Sequence, residues 1–91
     1  MGAISNEYCR ANQTGIDFLV TDLDLGLTFM DVAEVSRDSE TVRRNYDNAR
    51  TAYDTVVNLS GKLTPNAKQR QAIDAGLALL KMRLQAVGYQ W

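Results

Sequence analysis

The chain has 91 residues, a hydrophobic fraction of 45%, a charged fraction of 23% and a net charge of −1. These values suit one globular domain and argue against a disordered chain or nucleic-acid binding through a uniformly basic surface, although a local basic patch stays open. The chain has no histidine and one cysteine, Cys9, so it lacks the commonest general base and zinc ligand and has no internal disulfide. We therefore expect no catalytic residues, no metal site and no cofactor, and we interpret Cys9 as a small, partly buried hydrophobic residue.

Residues 1–15 have the least regular pattern. Ser5 can cap a short helix that reaches Arg10, and Gly15 then either separates this helix from the next or lies within one long helix as a weak point. The next helix is predicted from Ile16 to Val35. Its main apolar stripe has helical spacing and contains Ile16, Leu19, Val20, Leu23, Leu27 and Met30.

A second set of apolar residues widens this stripe beyond what a small bundle needs. The set contains Phe18, Leu25, Phe29 and Val32. Leaving several such side chains in water forfeits roughly 1.5–3 kcal/mol each, and a contiguous patch invites association. Either the segment around Ile4 and Tyr8 covers them or another chain does, and the few large apolar groups in residues 1–15 favour another chain. We therefore predict that these four residues form an interface.

The second helix is predicted after a turn at residues 36–39, with Asp38 or Ser39 as its N-terminal cap and Ser60 near its end. Its apolar stripe contains Val42, Tyr46, Ala49, Tyr53 and Val56. Charged residues alternate in sign along another face, at Arg43, Asp47, Arg50 and Asp54, which predicts exposed ion pairs rather than a phosphate site.

A hinge then predicts a helix stop and a helix start. Gly61 suits the left-handed position after a helix, Thr64 suits a cap, and Pro65 suits the first helical position. The third helix is predicted from Pro65 to Val87, antiparallel to the second, with its stripe at Ile73, Leu77, Leu80, Leu84 and Val87.

The C-terminal tail follows a predicted helix stop at Gly88. Trp91 has two open interpretations, an anchor of a dimer contact or part of a frayed tail. On the first helix, Asp17, Asp24 and Asp31 form a polar line two helical turns apart. We favour a solvated face for this line over an acidic strip that docks a basic partner.

The segment Asn45–Tyr53 resembles the second helix of a tetratricopeptide repeat, because an aromatic, a small and an aromatic residue follow at that family's steps. Leu25-Gly26 followed by Phe29 resembles the first-helix pattern. The chain between the two patterns is about a third of a unit too long for that family's period of about 34 residues. The long first helix is instead similar to that of the microtubule-interacting-and-trafficking domain, a three-helix bundle. Over residues 16–87 the resemblance implies a groove that receives a partner's helix or strand.

Together these patterns predict an all-α, antiparallel three-helix bundle over residues 16–87, with or without a short helix in residues 1–15, and a tail at residues 88–91. We expect a cytoplasmic, non-catalytic protein-protein interaction module, with neither a membrane nor a nucleic acid as partner. The alternative is a structural subunit of a homo-oligomer, for example a homodimer, that buries the apolar excess of the first helix.

Overall fold

Three helices account for the fold of this computed structural model, which describes the backbone of residues 2–91 and the side chains of residues 10–91. The helices are α1 (Gly2–Val35), α2 (Ser39–Ser60) and α3 (Ala67–Ala86), and this described part contains no strand. The predicted all-α three-helix bundle is therefore confirmed. Gln69 and Arg83 of α3 contact Gln13 and Asp31 of α1 in the same order, so α3 runs parallel to α1 and antiparallel to α2.

The N-terminal segment is continuous with α1 rather than a separate short helix. Gly15 lies within this helix, where a Cβ atom would stand 2.7 Å from Cδ2 of Leu63. The small residue thus costs about 1 kcal/mol of helix propensity but lets the hinge approach α1 closely. The side chains of Ile4, Tyr8 and Cys9 lie outside the described residues, and so do the expectations that concern them.

The cap of α2 is Asp38, one of the two predicted residues. Its Oδ2 atom accepts hydrogen bonds from Thr41 Oγ1 at 2.7 Å and from the Thr41 backbone N–H at 2.9 Å. Because these bonds favour the ionised carboxylate, they hold the pKa of Asp38 below its usual value of 3.8. The carboxylate also complements the positive end of the helix dipole.

The hinge between α2 and α3 differs from the prediction at all three positions. Gly61 has φ −70 and ψ −15, in the right-handed region, because the chain continues as a turn after Ser60 rather than reversing through a left-handed residue. Thr64 is not a cap, since its backbone N–H and hydroxyl both donate to Oδ1 of Asn12.

The N-terminus of α3 is instead capped by Asn66, so Pro65 precedes the cap and does not open the helix. The Asn66 side chain accepts from the Gln69 backbone N–H at 2.8 Å, and the Gln69 side chain accepts from the Asn66 backbone N–H at 2.9 Å. This reciprocal pair satisfies two backbone donors, which gives Asn66 the advantage over Thr64 as the cap.

The core lies where the predicted stripes of the three helices meet. Its buried residues are Ile16, Leu19, Leu23, Met30, Ala33, Ala49, Ala52, Val56, Ile73, Leu80 and Leu84. Small residues bring α1 and α2 together, since a Cβ atom on Gly26 would stand 3.3 Å from the Cβ atom of Ala52. The α1–α2 contact is the most extensive of the three helix pairs.

The end of α3 confirms Gly88 as the helix stop. Gly88 has φ +107, its N–H donates to the Gln85 carbonyl, and the Tyr89 N–H donates to the Leu84 carbonyl, both at 3.1 Å. These two bonds form a Schellman motif, in which the residue after glycine commonly packs against the last turn. Tyr89 does so, because it packs against the core.

Candidate interaction surface

Three of the predicted interface residues form an exposed row along one flank of α1. Phe18, Leu25 and Val32 are 50%, 46% and 40% exposed, and their spacing of seven residues places them one above another. Phe29 is partly buried and packs against the core. Phe18 of this row and Phe29 make an apolar wall beside α2, whereas Leu25 and Val32 do not line it.

A groove of about 360 Å³ runs between this wall and α2. It is lined by Phe18, Asp22 and Phe29 on α1 and by Asn48, Thr51, Ala52 and Thr55 on α2. We call it the α1/α2 groove. The buried Ala52 lies at its floor, opposite Gly26, so the small residues that bring the helices together also shape the groove. One wall is apolar and the other carries amide and hydroxyl groups.

Asp22 is the charged residue among those that line the α1/α2 groove. Partial burial raises the pKa of its carboxyl above the usual value of 3.8. No described side chain donates a hydrogen bond to it or forms an ion pair with it. A partly desolvated carboxylate between Phe18 and Phe29 is a site that a cation from outside the chain would stabilise.

A second concave region continues the α1/α2 groove towards the start of α2. It measures about 350 Å³ and is lined by Glu40, Arg43, Arg44, Asp47 and Asn48. Asn48 lines both regions, so the two form one surface. Arg44 forms no ion pair among the described side chains, although its charge helps to lower the pKa of Asp38. Sequence alone does not bring Asp22 and Arg44 together, because their shared surface appears only when α1 and α2 pack.

The predicted ladder of charges on α2 forms only in part. Arg50 pairs with Asp54 at 3.2 Å, whereas Asp47 accepts a hydrogen bond from the Tyr89 hydroxyl. Tyr89 folds back against α2, and its hydroxyl donates to this carboxylate. Asp47 is therefore bonded to the C-terminal tail rather than to a charged neighbour on α2. Pattern within one helix cannot predict a contact made by another segment.

Two of the three aspartates in the acidic line of α1 have partners within the chain. Asp31 and Glu34 both accept from Arg83 Nη2 at 2.8 Å, and Asp17 accepts from Gln13 Nε2 at 2.9 Å. Because these contacts occupy two of the three aspartates, the arrangement supports the solvated-face interpretation over a free acidic strip.

Trp91 packs within the molecule rather than extending as a frayed tail. Its ring meets that of Tyr53 edge-on at a centroid distance of 5.0 Å, and Arg50 Cζ lies 4.0 Å from the ring centroid. Lys81 Nζ lies 5.4 Å from the same centroid, and Arg50 also donates to the Gln90 carbonyl at 3.1 Å. The side chain stays 47% exposed, so its role in a dimer contact stays a prediction.

Two further properties concern only the described residues. They contain no cluster of three or more cysteine, aspartate or glutamate side chains placed to hold a metal ion. Nor do they include a helix whose length and apolar content would let it cross a membrane. The chemically distinctive features are therefore the α1/α2 groove, the Asp22 carboxylate in it, and Arg44 in the region that continues it.

The chain matches no known protein-family model, no curated protein and no solved structure. The resemblance to tetratricopeptide repeats and to the microtubule-interacting-and-trafficking domain therefore stays a prediction.

Proposed function

We propose that this protein is a non-catalytic, cytoplasmic interaction module that binds an amphipathic helix in the α1/α2 groove. The observation that carries the proposal is Asp22, a partly desolvated carboxylate with no partner among the described side chains, placed between two phenylalanines. A helix that brings apolar side chains and one lysine or arginine would cover the exposed row and neutralise this charge at the same time.

The dimensions of the surface suit a helix. Phe18 and Val32 lie fourteen residues apart on α1, which is about 21 Å along the helix axis. A ligand helix of four turns would contact the whole row through residues spaced three and four apart. The polar wall formed by Asn48, Thr51 and Thr55 would then lie beside the polar edge of the ligand.

The charge preference of the groove is the most direct test. Two labelled amphipathic helical peptides are compared, identical except for one central lysine or glutamate on the edge of a leucine stripe. We expect the lysine peptide to bind the native protein about tenfold more tightly, a difference of about 1.4 kcal/mol. Asp22→Lys should reverse the preference, because the carboxylate that selects the lysine is replaced by a cation.

Matched leucine substitutions locate the binding surface. Leu25 on α1 and Leu79 on α3 are 46% and 42% exposed, so both tolerate a polar residue without loss of core packing. Leu25→Asp should weaken peptide binding, whereas Leu79→Asp should leave it unchanged. The measurement uses a protein concentration at which the chain is monomeric. There, equal binding of both peptides by the native protein and by Asp22→Lys, or no saturable binding at all, would contradict the proposal.

A further inference from the structure

We infer that the partner bound at the α1/α2 groove is a second copy of this chain, in an antiparallel twofold dimer. This inference rests on the proposed function and names its partner. In the dimer, Asp22 of each copy pairs with Arg44 of the other, while Leu25 and Phe29 of both copies meet at the centre.

The first step is the position of opposite charges on one face. Asp22 lies about level with Thr55, because Gly26, four residues after Asp22, packs against Ala52, three residues before Thr55 on the antiparallel helix. Arg44 precedes Thr55 by eleven residues on α2, which places it about 16 Å further along the helix axis. One end of the face therefore carries an unpaired carboxylate, and the other end carries a guanidinium without an ion pair among the described residues.

The second step is symmetry. In a twofold dimer the same patch must be complementary to itself. An axis in the interface plane, at right angles to the helices and midway between the charges, packs α1 on α1 and α2 on α2 in reversed direction. It brings Arg44 of the second copy level with Asp22, across the width of the α1/α2 groove. An axis parallel to the helices would place Asp22 opposite Thr55 of the second copy and leave both charges unpaired. Charge complementarity thus selects the antiparallel arrangement.

The third step is the apolar centre of the face. The level midway between Asp22 and Arg44 falls close to Leu25 and Phe29. The antiparallel arrangement therefore places the half-exposed Leu25 of one copy against Phe29 of the other. An apolar centre bordered by two ion pairs is the general organisation of protein interfaces, and removal of this surface from water supplies the driving force.

Charge reversal tests the pairing through light scattering after size-exclusion chromatography, with helicity checked by circular dichroism. The native protein should dimerise at micromolar concentration. Asp22→Arg should be monomeric, because the introduced guanidinium would face that of Arg44 in both contacts. Arg44→Asp should be monomeric because two carboxylates would meet in both contacts. An equimolar mixture of the two variants should form a heterodimer. One of its contacts keeps the native pair of Asp22 and Arg44. The other contact joins the introduced arginine to the introduced aspartate, which have opposite charges.

Further variants keep the test informative if Asp22→Arg does not fold. Arg44 is exposed on α2, so Arg44→Asp and Arg44→Glu are surface changes, and Asp22→Lys offers a second partner for them. Leu25→Asp should dissociate the dimer, whereas Leu79→Asp should preserve it. A native chain that is monomeric at high micromolar concentration, or folded variants that stay monomeric when mixed, would overturn the inference.

The outcome also separates this inference from the proposed function. A monomeric native protein that still binds the lysine peptide at the α1/α2 groove overturns the second copy as partner and retains the groove as a helix-binding site. A native protein that neither dimerises nor binds the lysine peptide overturns both.

Discussion

At Gly26, one hydrogen atom in place of a side chain determines how closely α1 and α2 approach. A Cβ atom there would stand 2.8 Å from Leu80 Cδ2 and 3.3 Å from Ala52 Cβ, and the second atom is fixed to the backbone of α2. The neighbouring helix must therefore move before any side chain fits.

We expect Gly26→Val to lower the free energy of unfolding by about 1–3 kcal/mol, because overpacking outweighs the gain from replacing a helical glycine. Urea denaturation followed by circular dichroism measures this change. Gly61→Ala is the control, since Gly61 has φ −70 and its nearest foreign atom lies at 3.9 Å. This control should raise stability by about 0.4–1 kcal/mol. A Gly26→Val protein as stable as the native one would mean that the two helices separate without cost.

The raised pKa of the Tyr89 hydroxyl affects how stable the protein is at alkaline pH. Burial is the larger cause, and the hydrogen bond to Asp47 the next, of a rise in the pKa of its hydroxyl from 10.0 to about 12. The folded chain therefore holds this proton more tightly than the unfolded chain, so the stabilisation is complete below pH 10 and is lost as the pH rises towards 12. We expect Tyr89→Phe to show a smaller fall in melting temperature across that window than the native protein. Identical pH profiles for the two proteins would show that Tyr89 ionises as it does in the unfolded chain.

At the scale of elements, the sequence predicts best what a single helix determines. The stripes of α2 and α3 correctly place Ala49, Val56, Ile73, Leu80 and Leu84 in the core, because side-chain spacing along a helix fixes which residues share a face. The cap at Asp38 and the stop at Gly88 also depend on residues within a few positions, and both are confirmed.

The hinge shows where local pattern fails. Thr64 has the chemistry of a cap, but it bonds to Asn12, which lies 52 residues away in the chain. Asn66 then caps α3 with the help of Gln69. The choice of cap therefore depends on which residue of α1 lies against the hinge, and the sequence does not reveal that residue before the helices pack.

The candidate site shows the same division between local and tertiary information. The apolar excess on α1 is predicted from the sequence, and three of its four residues, Phe18, Leu25 and Val32, are exposed. Its partner surface requires the register between α1 and α2, which Gly26 and Ala52 set through close contact. Asp22 and Arg44 therefore become parts of one surface only in the folded chain.

At the scale of the whole molecule, stability rests on a core to which every helix contributes. Leu80 is fully buried on α3 and touches the position where α1 approaches α2. We expect Leu80→Ala to lower the free energy of unfolding by ~2–5 kcal/mol, because it removes buried methyl groups and leaves a cavity. The neighbouring Leu79 is 42% exposed, and Leu79→Ala should change stability by less than about 0.5 kcal/mol. Thermal or urea denaturation of both variants measures the difference. Equal losses at the two positions would mean that the buried face of α3 is misassigned.

The parallel orientation of α1 and α3 also has a consequence for how the chain folds. Contacts between α1 and the segment from the hinge through α3 join residues separated by a nearly constant distance in sequence, 52 for Asn12–Thr64, 56 for Gln13–Gln69 and 52 for Asp31–Arg83. Loop-closure entropy depends on that separation, so each contact carries nearly the same cost when it forms first. Once any one of them has formed, the others follow with little further loss of chain entropy. We therefore expect the α1–α3 boundary to assemble as one kinetic unit, without a preferred end from which it closes.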